Sequence, residues 1–180
     1  MKIMFISDIH GSLYFLNKAL ERFEEEKADY IGILGDVLYH GPRNDLPKEY
    51  NPKDVAKILN RYKNKIIAVR GNCDSEVDQM LIDYPMLSDY SIIFFNNKKI
   101  FLTHGHIFNK DNMPHFNIGD IMISGHTHIP SIEHIDGVTF INPGSISIPK
   151  GGSENSYGIL NEDGFSIKNL NGKVILTLNI

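Results

Sequence analysis

Residues 2–10 read KIMFISDIH. An apolar run without alternation marks a strand covered on both faces, as in a parallel sheet with layers on each side. The run stops at Ser7 and delivers Asp8 and His10 at its carboxyl end. Similar runs follow at 30–34 (YIGIL), 65–69 (KIIAV), 91–95 (SIIFF), 99–103 (KIFLT) and 120–124 (DIMIS), and each predicts a buried strand. Between the first three lie helical stripes, Leu13, Leu16, Leu20 and Phe23 on one and Val55, Ile58, Leu59 and Tyr62 on the other, with Ser12 placed as an N-cap. The β-α-β-α-β order predicts a parallel sheet in the first half. Asn96-Asn97 predicts a hairpin. Further strands at 138–142, 156–160, 165–170 and 173–178 are separated by Asp136-Gly137, Asp163-Gly164 and Asn171-Gly172 turns. The expected fold is α/β: a two-sheet sandwich flanked by helices, in one domain spanning 1–180.

A chain of 180 residues buries about 70% of its unfolded surface and needs no staples. Its net charge of -4 gives no electrostatic reason to hold duplex DNA or an anionic membrane, so neither long nucleic acid nor membrane is an expected partner. Cys73 is the single cysteine, the apolar N-terminal run is too short for a secretory signal, and no stretch reaches membrane-spanning length. A cytoplasmic location is expected. The acidic cluster Glu24 to Glu26 reads as a solvated helix end, and His115 and His134, outside any motif, as surface residues.

Five of the runs end in potential metal ligands: Asp8 and His10, then Asp36, Asn72, His104, and finally His126 with His128. Strand carboxyl ends form the ligand-binding edge of open α/β sheets, so these residues can meet at one rim. The spacing of two within Asp8/His10 and His126/His128 predicts that each pair projects to one side of an extended backbone. Gly35, Gly71 and Gly125 each precede a ligand and let the backbone approach closely. Singly, each segment is ordinary turn chemistry. Together, four imidazoles, two carboxylates and a carboxamide suit two divalent ions sharing one carboxylate. The donor set favours Mn, Ni, Co, Fe or Zn over Ca. Pro42, Pro47 and Pro52 mark a long loop after Asp36, a length that is often functional.

In order, D-I-H, G-D, G-N-C-D, H-G-H and G-H-T-H resemble the calcineurin-like metallophosphoesterase superfamily, whose four-layer fold is a β-sandwich flanked by helices around two metals. The strings GDVLYHGPRN (35–44), RGNCDSEVDQM (70–80), LTHGH (102–106) and NPGSISIPKGG (142–152) are most similar to its bacterial YfcE-type phosphodiesterases, over Lys2 to about Gly158. The resemblance implies that Asp8, His10 and His128 hold one ion, that Asn72, His104 and His126 hold the other, and that Asp36 bridges them. It implies two divalent ions per chain, Mn2+ first, and hydrolysis of a small phosphodiester by a bridging hydroxide. A phosphomonoesterase and a non-catalytic scaffold like the retromer subunit of this fold are the rival expectations. A homo-oligomer is left open.

Many members of the superfamily carry histidine after Gly-Asn, positioned to protonate the leaving group. Here Cys73 stands there; beside two cations a thiol is expected to tend toward thiolate, which donates no proton. A small buried filler is the alternative role for Cys73. His106 is a candidate proton donor, Asp74 a catalytic candidate that orients a neighbour, and His40 and Arg43 candidate substrate contacts. Asn142-Pro-Gly-Ser145 is a turn that, by the same resemblance, lines the cleft.

Overall fold

The computed structural model describes residues 1–180. In chain order its elements are β1 (Ile3–Ile6), α1 (Leu13–Glu26), β2 (Tyr30–Ile33), α2 (Pro52–Leu59), β3 (Ile66–Ala68), α3 (Glu76–Gln79), β4 (Tyr90–Phe95), β5 (Lys98–Thr103), β6 (Ile121–Ile123), β7 (Ser131–Ile135), β8 (Val138–Asn142), β9 (Ser156–Asn161), β10 (Gly164–Asn169) and β11 (Val174–Leu178). A 3₁₀ segment, Asn60–Lys65, joins α2 to β3.

Two mixed sheets pack against each other. One has the order β11-β10-β9-β1-β2-β3, the other β4-β5-β6-β8-β7. The first three strands pair in parallel, as their helical crossovers require. β1 closes onto β9 antiparallel on its other side. In the second sheet β5, β6 and β8 run parallel, and β4 and β7 flank them antiparallel.

The unalternated β1 run has a simple cause. Ile3 and Phe5 enter the core between the sheets with Ile100, Leu102, Ile123 and Phe165. Met4 and Ile6 enter a second core with Leu16, Leu20 and Phe23 of α1 and Val55 and Leu59 of α2. All four are fully buried, at about 1.5–3 kcal/mol each. The Ser12 hydroxyl caps α1 by accepting from Phe15 N at 3.3 Å.

The two-sheet sandwich with flanking helices is as expected, and two expectations change, for the SIIFF run and for Glu26. The SIIFF run is an edge strand: Ile92 and Phe94 are exposed and only Phe95 is buried. The outer face of the second sheet, Phe101, Met122, Val138 and Phe140, is covered by Phe108 and Phe116 from the loop after β5 rather than by a helix. Glu26 is not a solvated helix end. Its Oε1 accepts from Lys168 Nζ at 2.7 Å and Tyr157 Oη at 3.0 Å, tying α1 to β9 and β10. β7 and the single-turn α3 were not foreseen, because SIEHI interrupts its apolar residues with two polar ones. No helix is long and apolar enough to cross a membrane.

Candidate metal centre

The carboxyl ends of β1, β2 and β3 in one sheet and β5 and β6 in the other open onto the same rim. Asp8, Asp36, Asn72, His104 and His126 leave from these ends, and His10 and His128 follow two residues after Asp8 and His126. The reason they converge differs from the one the spacing predicts. Asp8, His10, Asp36, His126 and His128 have φ of 56°, 48°, 55°, 68° and 61°, in the left-handed region. Side chains two apart therefore meet because the backbone coils there, and not because it is extended. Non-glycine residues adopt this region at a cost and persist where surrounding structure enforces it.

That enforcement is visible. The Asp8 carbonyl accepts from Ser145 Oγ at 2.9 Å and Ser147 Oγ at 2.7 Å. Asn142 Nδ2 donates to Gly125 O and to Thr127 Oγ1, bracing the loop that carries His126 and His128. The Asn142–Ser145 turn thus supports the ligand loops from behind and does not line the cleft. A Cβ on Gly71 would sit 2.1 Å from Asp36 Oδ1, and one on Gly125 1.8 Å from Ser7 Oγ, so both close approaches need glycine.

The donor atoms form two groups that overlap at the carboxylates. Asp8 Oδ1 lies 3.2 Å from His128 Nε2 and 3.8 Å from His10 Nε2, and the two imidazole nitrogens are 3.4 Å apart. Asp36 Oδ2 lies 3.7 Å from His10 Nε2 on one side and 3.5 Å from His104 Nε2 on the other. His104 Nε2 is 3.1 Å from Asn72 Oδ1 and 3.2 Å from His126 Nδ1.

The protonation pattern fits cations. His10, His104 and His128 each place Nδ1 on a backbone carbonyl, of Tyr39, Leu34 and Ile148. A carbonyl only accepts, so Nδ1 carries the proton and Nε2 turns toward the other donors. Asp8 Oδ2 accepts from His126 N, but Asp8 Oδ1 is buried with no hydrogen-bond partner. Burial disfavours charge on His104, yet Asp36 and Asp8 overcome it and raise the imidazole to about 9. Asp8 and Asp36 themselves stay below the usual carboxylate range: burial opposes ionisation, but contacts with His128 and His104 outweigh it. The carboxylates draw positive charge strongly enough to protonate a buried ring, and the residues present suit divalent ions.

The remaining candidates scatter. Cys73 lies on the cleft wall, half-buried, with its sulfur within 4.8 Å of the ligand atoms of His10 and Asp36. Burial and then the Asp36 carboxylate push its thiol up to about 12. Without a metal ion, the protein's own groups thus favour the thiol over the thiolate expected beside two cations. Asp74 is buried outside the cleft lining and accepts from the amides of Asp36, Val37 and Gly71 at 2.7–2.8 Å, a positioning role for the turn carrying Asp36. His106 packs against His104 and His126 at ring distances of 5.3 and 6.2 Å, behind the cleft wall rather than in it. His40 sits edge-on between Tyr39 and Tyr50 and also does not line the cleft.

The cleft is a cavity of about 330 Å³ walled by His10, Asp36, Asn72, Cys73, His126 and His128, with Arg43 entering from the loop after β2. Lys150 also lines it, a residue the sequence reading missed. A separate cavity of about 270 Å³ lies behind the 125–129 loop and touches none of the seven donors.

Comparison with known proteins agrees with this geometry. Residues 1–164 match the family model described as the calcineurin-like phosphoesterase superfamily domain. The chain is 49% identical over 176 residues to phosphodiesterase YfcE of Escherichia coli (strain K12), covering 98% of this chain and 96% of that protein. It is 30% identical over 151 residues to phosphodiesterase MJ0936 of Methanocaldococcus jannaschii, covering 80% and 83%. A solved structure of the E. coli phosphoesterase YfcE superposes with TM-score 0.97 at 48% identity over the whole of both chains. Vps29 of Entamoeba histolytica superposes with TM-score 0.63 at 21% identity, a likeness of fold alone. The left-handed ligand turns at the joined rim of two sheets thus sit in a family frame that spans most of the chain, which belongs to the calcineurin-like phosphoesterase superfamily.

Proposed function

We propose that the chain is a cytoplasmic phosphodiesterase that hydrolyses small diesters at a two-metal centre, Mn2+ being the first candidate ion. The observation that carries this reading is Asp36, whose Oδ2 stands between His10 Nε2 and His104 Nε2 at 3.7 and 3.5 Å, where one carboxylate can serve both donor groups. Asp8, His10 and His128 would hold one ion, and Asn72, His104 and His126 the other. Bound there, two dications would supply Lewis-acid charge and lower the pKa of water near neutral pH.

The chain's own residues do the rest. Buried carbonyls orient His10, His104 and His128, so no imidazole must reorganise when the substrate arrives. Asp74 fixes the amides around Asp36. Arg43 offers a fork of donors to a non-bridging phosphate oxygen. The names of the similar proteins from E. coli and M. jannaschii, both phosphodiesterases, support diester over monoester.

A panel of aryl mono- and diesters, assayed with Mn2+, Ni2+, Zn2+ and Mg2+ after chelation, tests the reading. Diester turnover that vanishes with the chelator and returns with added ion is expected. Turnover confined to monoesters, or insensitive to chelation, would overturn it.

A further inference from the structure

We propose that Lys150 selects diesters whose non-scissile arm carries an anionic group, a carboxylate or a phosphate. The proposal rests on the phosphodiesterase reading above and adds the class of substrate.

Lys150 is rooted on a candidate metal ligand. Its amide donates to the His128 carbonyl at 3.2 Å. Its own carbonyl accepts from Ser153 N at 3.1 Å and Ser153 Oγ at 2.6 Å. Two residues earlier, the Ile148 carbonyl receives the Nδ1 proton of His128. Gly151 and Gly152, with φ of 64° and 74°, then turn the chain back. The start of the Lys150 side chain is therefore fixed relative to His128 while its ammonium remains free to move over the cavity.

That ammonium is also uncommitted. Eight of the 18 Lys and Arg side chains form ion pairs with carboxylates within 4.0 Å; Lys150 and Arg43 are among those that do not, and both line the cleft. Two unpaired cations in one concave site raise its positive potential.

Charge counting then separates substrate classes. Two dications against the carboxylates of Asp8 and Asp36 and one hydroxide leave a single net positive charge. This suits the single negative charge of a diester. Arg43 and Lys150 add two more positive charges that a diester with an uncharged arm does not use. Arg43 has the planar fork that matches a phosphoryl group, whereas Lys150 is a mobile point charge suited to an anion whose position varies. An anionic arm places its charge where the ammonium can reach it.

Two 4-nitrophenyl diesters matched in arm length test the proposal, one with a pentyl arm and one with a 4-carboxybutyl arm, assayed on the metal-loaded protein. The wild type should favour the carboxylate arm about tenfold in kcat/KM, mainly through KM, with the preference shrinking as salt is added. Lys150→Ala should bring the ratio to about one and Lys150→Glu should invert it, while Lys150→Arg should keep it. A wild-type ratio near one, a ratio that survives Lys150→Ala, or an equal loss for both esters in Lys150→Ala would overturn the proposal while leaving the phosphodiesterase reading intact. No turnover of either ester by the wild type would remove both.

Discussion

Asp8 Oδ1 and His128 Nε2 face each other at 3.2 Å in the interior, and Asp8 Oδ1 has no other partner. The His128 Nδ1 proton goes to the Ile148 carbonyl, so the ring in its neutral form directs a lone pair at a carboxylate oxygen. Held together in the interior, such a pair calls for positive charge between its atoms, a proton on the ring in the metal-free protein or a metal ion in its place. The same logic extends through His10, His104 and Asp36.

Asn72 supplies its donor from an exposed position and His126 from a half-buried one, and truncating either leaves the cores untouched. Asn72→Ala and His126→Ala should each lower kcat/KM by at least about 10²-fold, with the melting temperature of the metal-free protein little changed. Full turnover by either variant with clean metal stocks would favour the scaffold role over the enzyme.

Asp74 accepts three backbone amides and does not line the cleft. Asp74→Ala leaves those buried donors unpaired and should cost about 2–5 kcal/mol in chemical denaturation. Asp74→Asn keeps the volume but replaces one acceptor oxygen with a donor, and should lower kcat more than it raises KM. An unaltered stability in Asp74→Ala would contradict the positioning role.

By the family resemblance, Cys73 stands at the position after Gly-Asn where a proton-donating histidine is expected. In the metal-free protein, burial and then the Asp36 carboxylate raise its pKa, so it is a poor proton donor. Cys73→His should raise kcat about tenfold or more for alkoxide leaving groups and less for nitrophenolate, which departs without help. Equal rates with both leaving groups at full metal content would remove this account.

Glu26 gives a pH dependence outside the centre. Burial opposes its ionisation, but the Lys168 and Tyr157 contacts win and lower its pKa below 4.5. A lowered folded pKa means the unfolded state binds the proton more tightly, so this contribution is complete above about 4.5 and fades as pH falls through the folded value. Wild type and Glu26→Gln should therefore differ most in stability near neutral pH and converge in acid. Parallel denaturation midpoints from pH 7 down to pH 3 would contradict it.

Much of this was legible in the sequence because burial and chemistry leave separate marks. The run at 3–6 is apolar on both faces and breaks at Asp8, so strand and rim could be read together. The left-handed turns could not, since Asp8-Ile-His and His126-Thr-His spell extended chain as readily as coiled chain; only Ser145, Ser147 and Asn142, distant in sequence, decide between them. Lys150 was hidden for a related reason. A lysine before Gly-Gly looks like any exposed turn, and its anchorage to His128 depends on a contact 22 residues back along the chain. Glu26 looked solvated because its partners, Tyr157 and Lys168, lie on the far side of the sequence.

The central claim is that seven donors on one rim hold a pair of ions. A crystal of the protein grown with Mn2+ and measured at the manganese edge tests it directly. Two anomalous peaks about 3.5–4 Å apart are predicted, one against Asp8, His10 and His128, the other against Asn72, His104 and His126, with Asp36 touching both. A single peak at full occupancy, or ions bound away from Asp36, would contradict it.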